Sequence, residues 1–280
     1  MSAPAAGGAV LVTGASTGIG RACVVRLAAS GVPVLAGARK PADLEQLGAI
    51  AGVEPVELDV TDPAALEALR GRLEGTSLRG LVNNAGVNFP GPLEEQPIDE
   101  LRSQFDVNTF SCFAVAQIAL PALRAGRGRI VNIGSIGGRV GQPLAGAYCG
   151  SKAALRVMSS SLRRELRPWS IWVTCIEPGT IRTEIWGKGE EANREALERL
   201  SPEGRARYGR QTDAMAAVLR RQATAGLEPD AVAMRVQHAL FARRPRAYDT
   251  IGRDAHALGA LQAVLPTRAW DRLMDRVLGL

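Results

Sequence analysis

The chain has 280 residues, 46% of them hydrophobic and 31 of them glycine, a composition that suits one large α/β domain of Ala, Val, Leu and tight turns. Its net charge of +6 does not by itself point to nucleic acid, because the arginines have acidic neighbours, as in Leu162-Arg163-Arg164-Glu165, and no basic run carries interleaved aromatics. The four cysteines, at 23, 112, 149 and 175, have neither metal-ligand nor disulfide spacing, no apolar stretch approaches a membrane span, and residues 1–8 carry no basic leader, so the expectation is a flexible terminus, one domain over 9–280 and a reducing, cytoplasmic setting without metal or transmembrane segment.

An apolar, β-branched run at 9–13 predicts the first strand. It passes into Gly14-Ala15-Ser16-Thr17-Gly18-Ile19-Gly20 and then a helical pattern over 18–30. Glycines are required where backbone must turn tightly and approach a pyrophosphate, and the helix N-terminus that follows offers unpaired N–H groups and a positive dipole end. The spacing differs from the G-x-G-x-x-G fingerprint, and as a glycine-rich turn alone it is also compatible with a mere tight turn.

Downstream, the pattern predicts strand 33–38, helix 42–50, strand 55–58, helix 63–74, strand 80–83, a single long helix 98–124, strand 129–134, helix 147–167 and strand 171–176. Such alternation requires right-handed crossovers and a doubly wound parallel sheet with helices on both faces, in which ligands bind beyond the carboxyl ends of the strands. After residue 183 the composition shifts to polar helices over 190–224 and 229–243, then a short strand near 247–251. A last amphipathic helix over 266–278 gathers Trp270, Leu273, Met274, Val277 and Leu278 on one side. That side is expected to pack on the domain or a partner subunit rather than on lipid.

Within the predicted helix 147–167, Tyr148 and Lys152 stand at i and i+4, with Cβ atoms about 5–6 Å apart on one face. An ammonium about 4 Å from a developing phenolate favours it by about 4 kcal/mol at an effective dielectric of ~20. The pair can therefore give and take a proton near neutral pH. The same spacing arises by chance on surface helices, so its meaning depends on what accompanies it. Cys149 is adjacent, but the available histidines, His238 and His256, fall in surface-like helices and do not form a thiol–imidazole pair with it.

What accompanies it is an ordered set. Thr13-Gly14-x-x-x-Gly18-Ile19-Gly20, Asn83-Asn84-Ala85-Gly86, Asn108, Ser135, Tyr148-x-x-x-Lys152 and Pro178-Gly179 resemble, in order and spacing, the short-chain dehydrogenases/reductases over about residues 9–183. The stretches Tyr148-Cys149-Gly150-Ser151-Lys152, Ser161-Leu162-Arg163-Arg164-Glu165-Leu166 and Ile176-Glu177-Pro178-Gly179 resemble the steroid and retinol dehydrogenase-like branch. The resemblance implies a single Rossmann-type domain and hydride transfer between a nicotinamide cofactor and a secondary alcohol or ketone on an apolar, steroid- or retinoid-like skeleton.

By the same resemblance Tyr148 is the general acid/base, Lys152 tunes it and binds the nicotinamide ribose, and Ser135 holds the substrate oxygen. Asn108 holds a water that links Lys152 to solvent, or else caps local backbone. Gly14, Ser16, Thr17, Gly18, Ile19 and Gly20 cradle the phosphates. Asn84, Ala85 and Gly86 line the cofactor, and Pro178, Gly179, Ile181 and Thr183 fix the carboxamide face. Asp59, followed by Val60, contacts adenine, or else Asp59 caps the helix that starts at Pro63. Residues 184–228 form a lid, or an ordinary helical insertion. Homodimers or homotetramers form through the helices after the fourth and fifth strands.

Cofactor choice is set where the second strand ends. An acid there accepts the ribose 2′-hydroxyl, whereas an arginine accommodates a 2′-phosphate. This chain has Ala38, then Arg39 and Lys40, which favours NADP(H), with NAD(H) still compatible. A catalytically silent NAD(P)-binding sensor or scaffold is the alternative. The complete Asn108, Ser135, Tyr148 and Lys152 set argues for the enzyme.

Overall fold

The computed structural model describes residues 8–182 and 198–278. Seven parallel strands, β1 (Ala9–Val12), β2 (Val34–Ala38), β3 (Val53–Glu57), β4 (Leu78–Asn83), β5 (Arg129–Ile133), β6 (Trp172–Pro178) and β7 (Tyr248–Ile251), form one sheet in the order β3-β2-β1-β4-β5-β6-β7. Side chains alternate across such a sheet, so both faces must be apolar when both are covered. Val10 and Val12 pack on one face with α1 (Gly18–Ala29), α2 (Pro41–Gly48) and α8 (Pro229–Phe241). Leu11, between them, packs on the other face with α3 (Pro63–Leu73) and α5 (Ser111–Gly126). Ordinary packing rules therefore produce a doubly wound sheet, as the alternation of strand and helix predicts.

The strand order reverses direction at β1, between β2 and β4, and the crevice at that reversal is where such sheets take ligands. The other described helices are α4 (Ile98–Phe105), α6 (Gly146–Glu165), α7 (Pro202–Ala225), α9 (Arg253–Val264) and α10 (Thr267–Leu278). Helix starts follow elementary capping chemistry. Asp62 accepts the N–H groups of Ala64 and Ala65 ahead of α3, and Pro41, Pro63 and Pro229 occupy first-turn positions where no donor is needed.

The structure corrects the sequence reading in several places. The single helix expected over 98–124 is α4 and α5 joined by a π-helical turn, Asp106–Phe110. Apolar periodicity carries no mark of one extra residue per turn; the turn is held by tertiary bonds from Asn108 and Thr109 to α6 and to Val87. Helix α9 was not anticipated, because its sequence has little amphipathic contrast and it packs through Ala255 and Gly259. The run Ile98–Gly126, 29 residues long with a most apolar window of mean hydropathy 1.2, does have the length and composition of a membrane span. Of that window 56% is buried inside the domain, with Val115, Ala119 and Leu123 wholly enclosed, so its apolarity is that of a core helix. The four cysteines are all free and buried. Residues 1–7, residues 184–197 of the expected lid and the start of the helix expected over 190–224 lie outside the described residues.

Candidate active site

The turn after β1 is built around backbone that has no room for side chains. Gly14 and Gly18 adopt φ values of 61° and 54°, in the left-handed region that favours glycine. A Cβ on Gly14 would come within 2.8 Å of the Ala85 Cα, and one on Gly20 would collide with the Gly14 carbonyl. Asn84 Nδ2 donates to the carbonyls of Thr13 and Gly14 at 3.1 and 2.9 Å, while Thr13 Oγ1 accepts the N–H groups of Asn84 and Ala85 at 3.0 and 3.1 Å. The turn is thereby locked to the end of β4. Thr13, quoted above only as part of a motif, is the tie. Ser16, Thr17 and Ile19 are half-buried around the start of α1, which has neither a side-chain cap nor an acid in its first turn. An uncapped helix N-terminus behind a glycine turn fits a phosphate group.

At the far end of the crevice Ala38 is buried while the Arg39 side chain is 67% exposed, and Lys40 is exposed at the start of α2. Asp59 Oδ1 accepts both the N–H and the hydroxyl of Thr61, at 2.9 and 2.7 Å, and Oδ2 faces Arg39 Nη1 at 3.5 Å. Asp62, not Asp59, caps α3, so the helix-cap alternative for Asp59 is removed. Burial works against its charge, but the bonds from Thr61 and the Arg39 guanidinium outweigh it and hold the carboxyl below the usual carboxylate range. The Val60 side chain is packed in the core with Leu58 and Leu69.

The four proposed catalytic residues come from three segments. Ser135, directly after β5, caps a 3-10 turn, Ile136–Gly138, by accepting the Gly137 N–H at 3.0 Å. Tyr148 and Lys152 lie in α6, with Lys152 Nζ 5.9 Å from the centre of the Tyr148 ring. A Cβ on Gly137 would lie 3.4 Å from both Ser135 Oγ and Tyr148 Cε1, which places those two side chains on one small patch. Lys152 is only 5% exposed, and its ammonium donates to the Ile133 carbonyl at 2.9 Å, which offsets part of the cost of its burial. A Cβ on Gly86 would lie 3.2 Å from Asn108 Oδ1 and 3.6 Å from Lys152 Nζ, so Gly86 leaves open the space beside both.

Asn108 sits in the π-helical turn. Its Oδ1 accepts the Val87 N–H at 2.8 Å, and its Nδ2 donates to the Val87 carbonyl and to Ser151 Oγ at 2.9 and 3.0 Å. Its amide thus binds local backbone and α6 together. Burial pushes the Cys149 thiol up from its ordinary value, which disfavours the thiolate that a nucleophile needs.

The turn after β6 brings Pro178, Gly179 and Ile181 to the same edge of the sheet, with Ile181 buried and paired to Leu227. Thr183 lies outside the described residues. Two acids that sequence reasoning did not place in the site flank this turn. Asp254, in the unanticipated α9, accepts the Thr180 N–H at 2.9 Å. Glu177, almost wholly buried, accepts from Arg156 Nε at 2.5 Å. In the sequence Glu177 was marked by the Ile176-Glu177-Pro178-Gly179 stretch and by its acidic character inside an apolar strand, neither of which names its partners.

The described part of the expected lid, α7 and the residues before it, is tied to the loop after β4 and to α4. Arg207 pairs with Glu94 and Glu95 at 2.7 and 3.7 Å, Ser201 donates to Glu95 at 3.3 Å, Arg199 pairs with Glu100 at 3.2 Å, and the Tyr208 hydroxyl donates to Glu94.

Comparison with known proteins places these features in context. Residues 8–194 match the model of the short chain dehydrogenase family. Retinol dehydrogenase 5 of Mus musculus is 35% identical over 295 residues, covering 99% of this chain and 91% of the mouse protein. A short chain dehydrogenase from Burkholderia cenocepacia, solved in complex with NADP, superposes with a TM-score of 0.73 at 26% identity, over 95% of this chain and 97% of that one. One from Burkholderia phymatum, solved in complex with NAD, gives 0.76 at 25% identity, over 92% and 93%.

Proposed function

The chain belongs to the short-chain dehydrogenase family, and from that premise we propose that it is an NADP(H)-preferring oxidoreductase acting on a secondary alcohol or ketone of an apolar, retinoid- or steroid-like substrate. The observation that carries the enzymatic part of this reading is the convergence of Ser135, Tyr148 and Lys152 around Gly137 and Gly86. A bound nicotinamide would supply or accept the hydride; the protein's own groups handle the proton and the geometry.

In this reading the Tyr148 hydroxyl gives a proton to the carbonyl oxygen in reduction and takes it back in oxidation. The Lys152 ammonium, held by the Ile133 carbonyl, stabilises the phenolate that results. Ser135 donates to the same substrate oxygen and supports its developing charge. Asn108 keeps the loop after β4 and α6 in register, so that Lys152 is presented beside Gly86. The uncapped start of α1 and the Gly14–Gly20 turn receive the phosphates, and Asn84, Ala85 and Gly86 line the dinucleotide.

NADP(H) preference is supported by exposed Arg39 next to buried Ala38, with no acid at the end of β2. The apolar substrate class is supported by likeness to retinol dehydrogenase 5. Assembly into dimers or tetramers through α5 and α6 is supported by exposed apolar side chains near and on those helices, Phe110 at 56% and Val157 at 62%. A reducing, cytoplasmic setting is supported by the four free thiols.

The deciding experiment is Tyr148→Phe with nicotinamide absorbance as readout over a panel of ketones and alcohols that includes sterols and aliphatic chains. Turnover should fall by about 100-fold or more while cofactor affinity stays within about twofold of the native value. Unchanged turnover would remove Tyr148 from the chemistry. A native protein that binds dinucleotide and turns over none of the panel would favour the silent sensor.

A further inference from the structure

Glu177 is the last residue before the Pro178–Gly179 turn and is 1% exposed. A carboxylate in such a place must be paired, and even then a buried ion pair adds little to stability; its best-attested use is to set the register between elements. The partners of Glu177 come from three other segments of the site. Arg156, one turn beyond Lys152 on α6, donates to Oε1 at 2.5 Å and lies over the Tyr248 ring at 4.1 Å. Thr250 of β7 donates to Oε2 at 3.2 Å. Arg139 ends the 3-10 turn that Ser135 begins, and its Nη1 stands 4.0 Å from Oε2. On its other side Arg139 packs against α9, where a Cβ on Gly259 would lie 3.1 Å from the guanidinium carbon.

One carboxylate, on the strand that leads into the proposed nicotinamide turn, therefore touches the helix that carries Tyr148 and Lys152, the turn that carries Ser135, and β7. We infer that Glu177 is a positioning residue that fixes the nicotinamide half of the cofactor site against the acid/base helix, while leaving the phosphate and adenosine half independent. The independence follows from the fold. The Gly14–Gly20 turn is locked through Thr13 and Asn84 to β4, and none of the three groups that face Glu177 belongs to that lock. The inference rests on the dinucleotide reading of the site.

Two ligands separate a positioning role from a general structural one: NADPH, and 2′-phospho-ADP-ribose, which is the same molecule without nicotinamide. In Glu177→Gln, NADPH affinity should fall about tenfold and kcat/KM about 100-fold, the scale of a displacement of about 1 Å at a reacting centre, while 2′-phospho-ADP-ribose binds within about twofold of native. Thr250→Val removes one bond without leaving a charge unpaired and should give the same split at about threefold, which keeps the test available should Glu177→Gln fail to fold. Equal weakening of both ligands in either folded variant, or of neither, overturns the inference. A native protein that shows the ligand split between its variants yet turns over no carbonyl would instead count against the proposed reaction and leave the role of Glu177 standing.

Discussion

Arg39 shows how much of the proposed specificity depends on single side chains. It is exposed, it follows a buried alanine, and its nearest acid, Asp59, is already engaged by Thr61. A guanidinium so placed is available to a phosphate, and a charged hydrogen bond of this kind contributes about 1.5–3 kcal/mol. Arg39→Asp should therefore shift the ratio of kcat/KM for NADP over NAD toward NAD by about 10- to 100-fold; no shift would show that the phosphate is bound elsewhere. At this scale the placement of Tyr148, Lys152 and Ser135 on α6 and directly after β5 was legible because each falls at a fixed spacing from a strand or helix signal. Glu177 and Asp254 were not. Their importance comes from partners 21 and 74 residues away, and nothing local to either residue announces those partners.

Among the elements, the start of α3 separates two aspartates that look equivalent in sequence. Asp62 accepts two helix N–H groups, whereas Asp59 holds Thr61 and faces Arg39. Asp62→Ala should cost about 1 kcal/mol of stability, read from denaturant unfolding, with cofactor affinity unchanged. Asp59→Ala should instead alter cofactor affinity, and a reversed pattern would reassign both. The π-helical turn between α4 and α5 makes the opposite point. Its residues form an apolar helical pattern like any other, yet Asn108 lies there with its amide bonded to Val87 and Ser151. The local sequence allows a straight helix; tertiary hydrogen bonds select the bulge.

For the whole molecule, the described part of the expected lid is held by side chains that are polar and partly exposed. Arg207, Tyr208, Ser201 and Arg199 tie the region of α7 to Glu94, Glu95 and Glu100 in and after the loop that follows β4. Exposed ion pairs of this kind are each weak, typically about 0–1 kcal/mol, and are screened by salt. They would suit the lid proposed for this region. Glu94→Gln combined with Tyr208→Phe should raise the substrate KM and accelerate limited proteolysis within 198–228, with dinucleotide affinity unchanged. Unchanged proteolysis would show that the lid is held by packing alone. The C-terminal helix α10 packs against α7, so the domain itself covers part of the side that Trp270, Leu273 and Met274 form.

The sequence by itself determined the doubly wound parallel sheet and pointed to the residues proposed for phosphate binding and proton transfer, because the alternation of strand and helix and the motif spacings are local properties that survive in one dimension. Tertiary structure alone decided that the Asn108 amide bonds backbone, that α9 and Asp254 support the turn after β6, and that a buried carboxylate on β6 joins α6, the turn after Ser135 and β7. Those are contacts between segments distant in sequence. Their energy depends on burial and on distances of a few ångströms, neither of which a linear pattern contains.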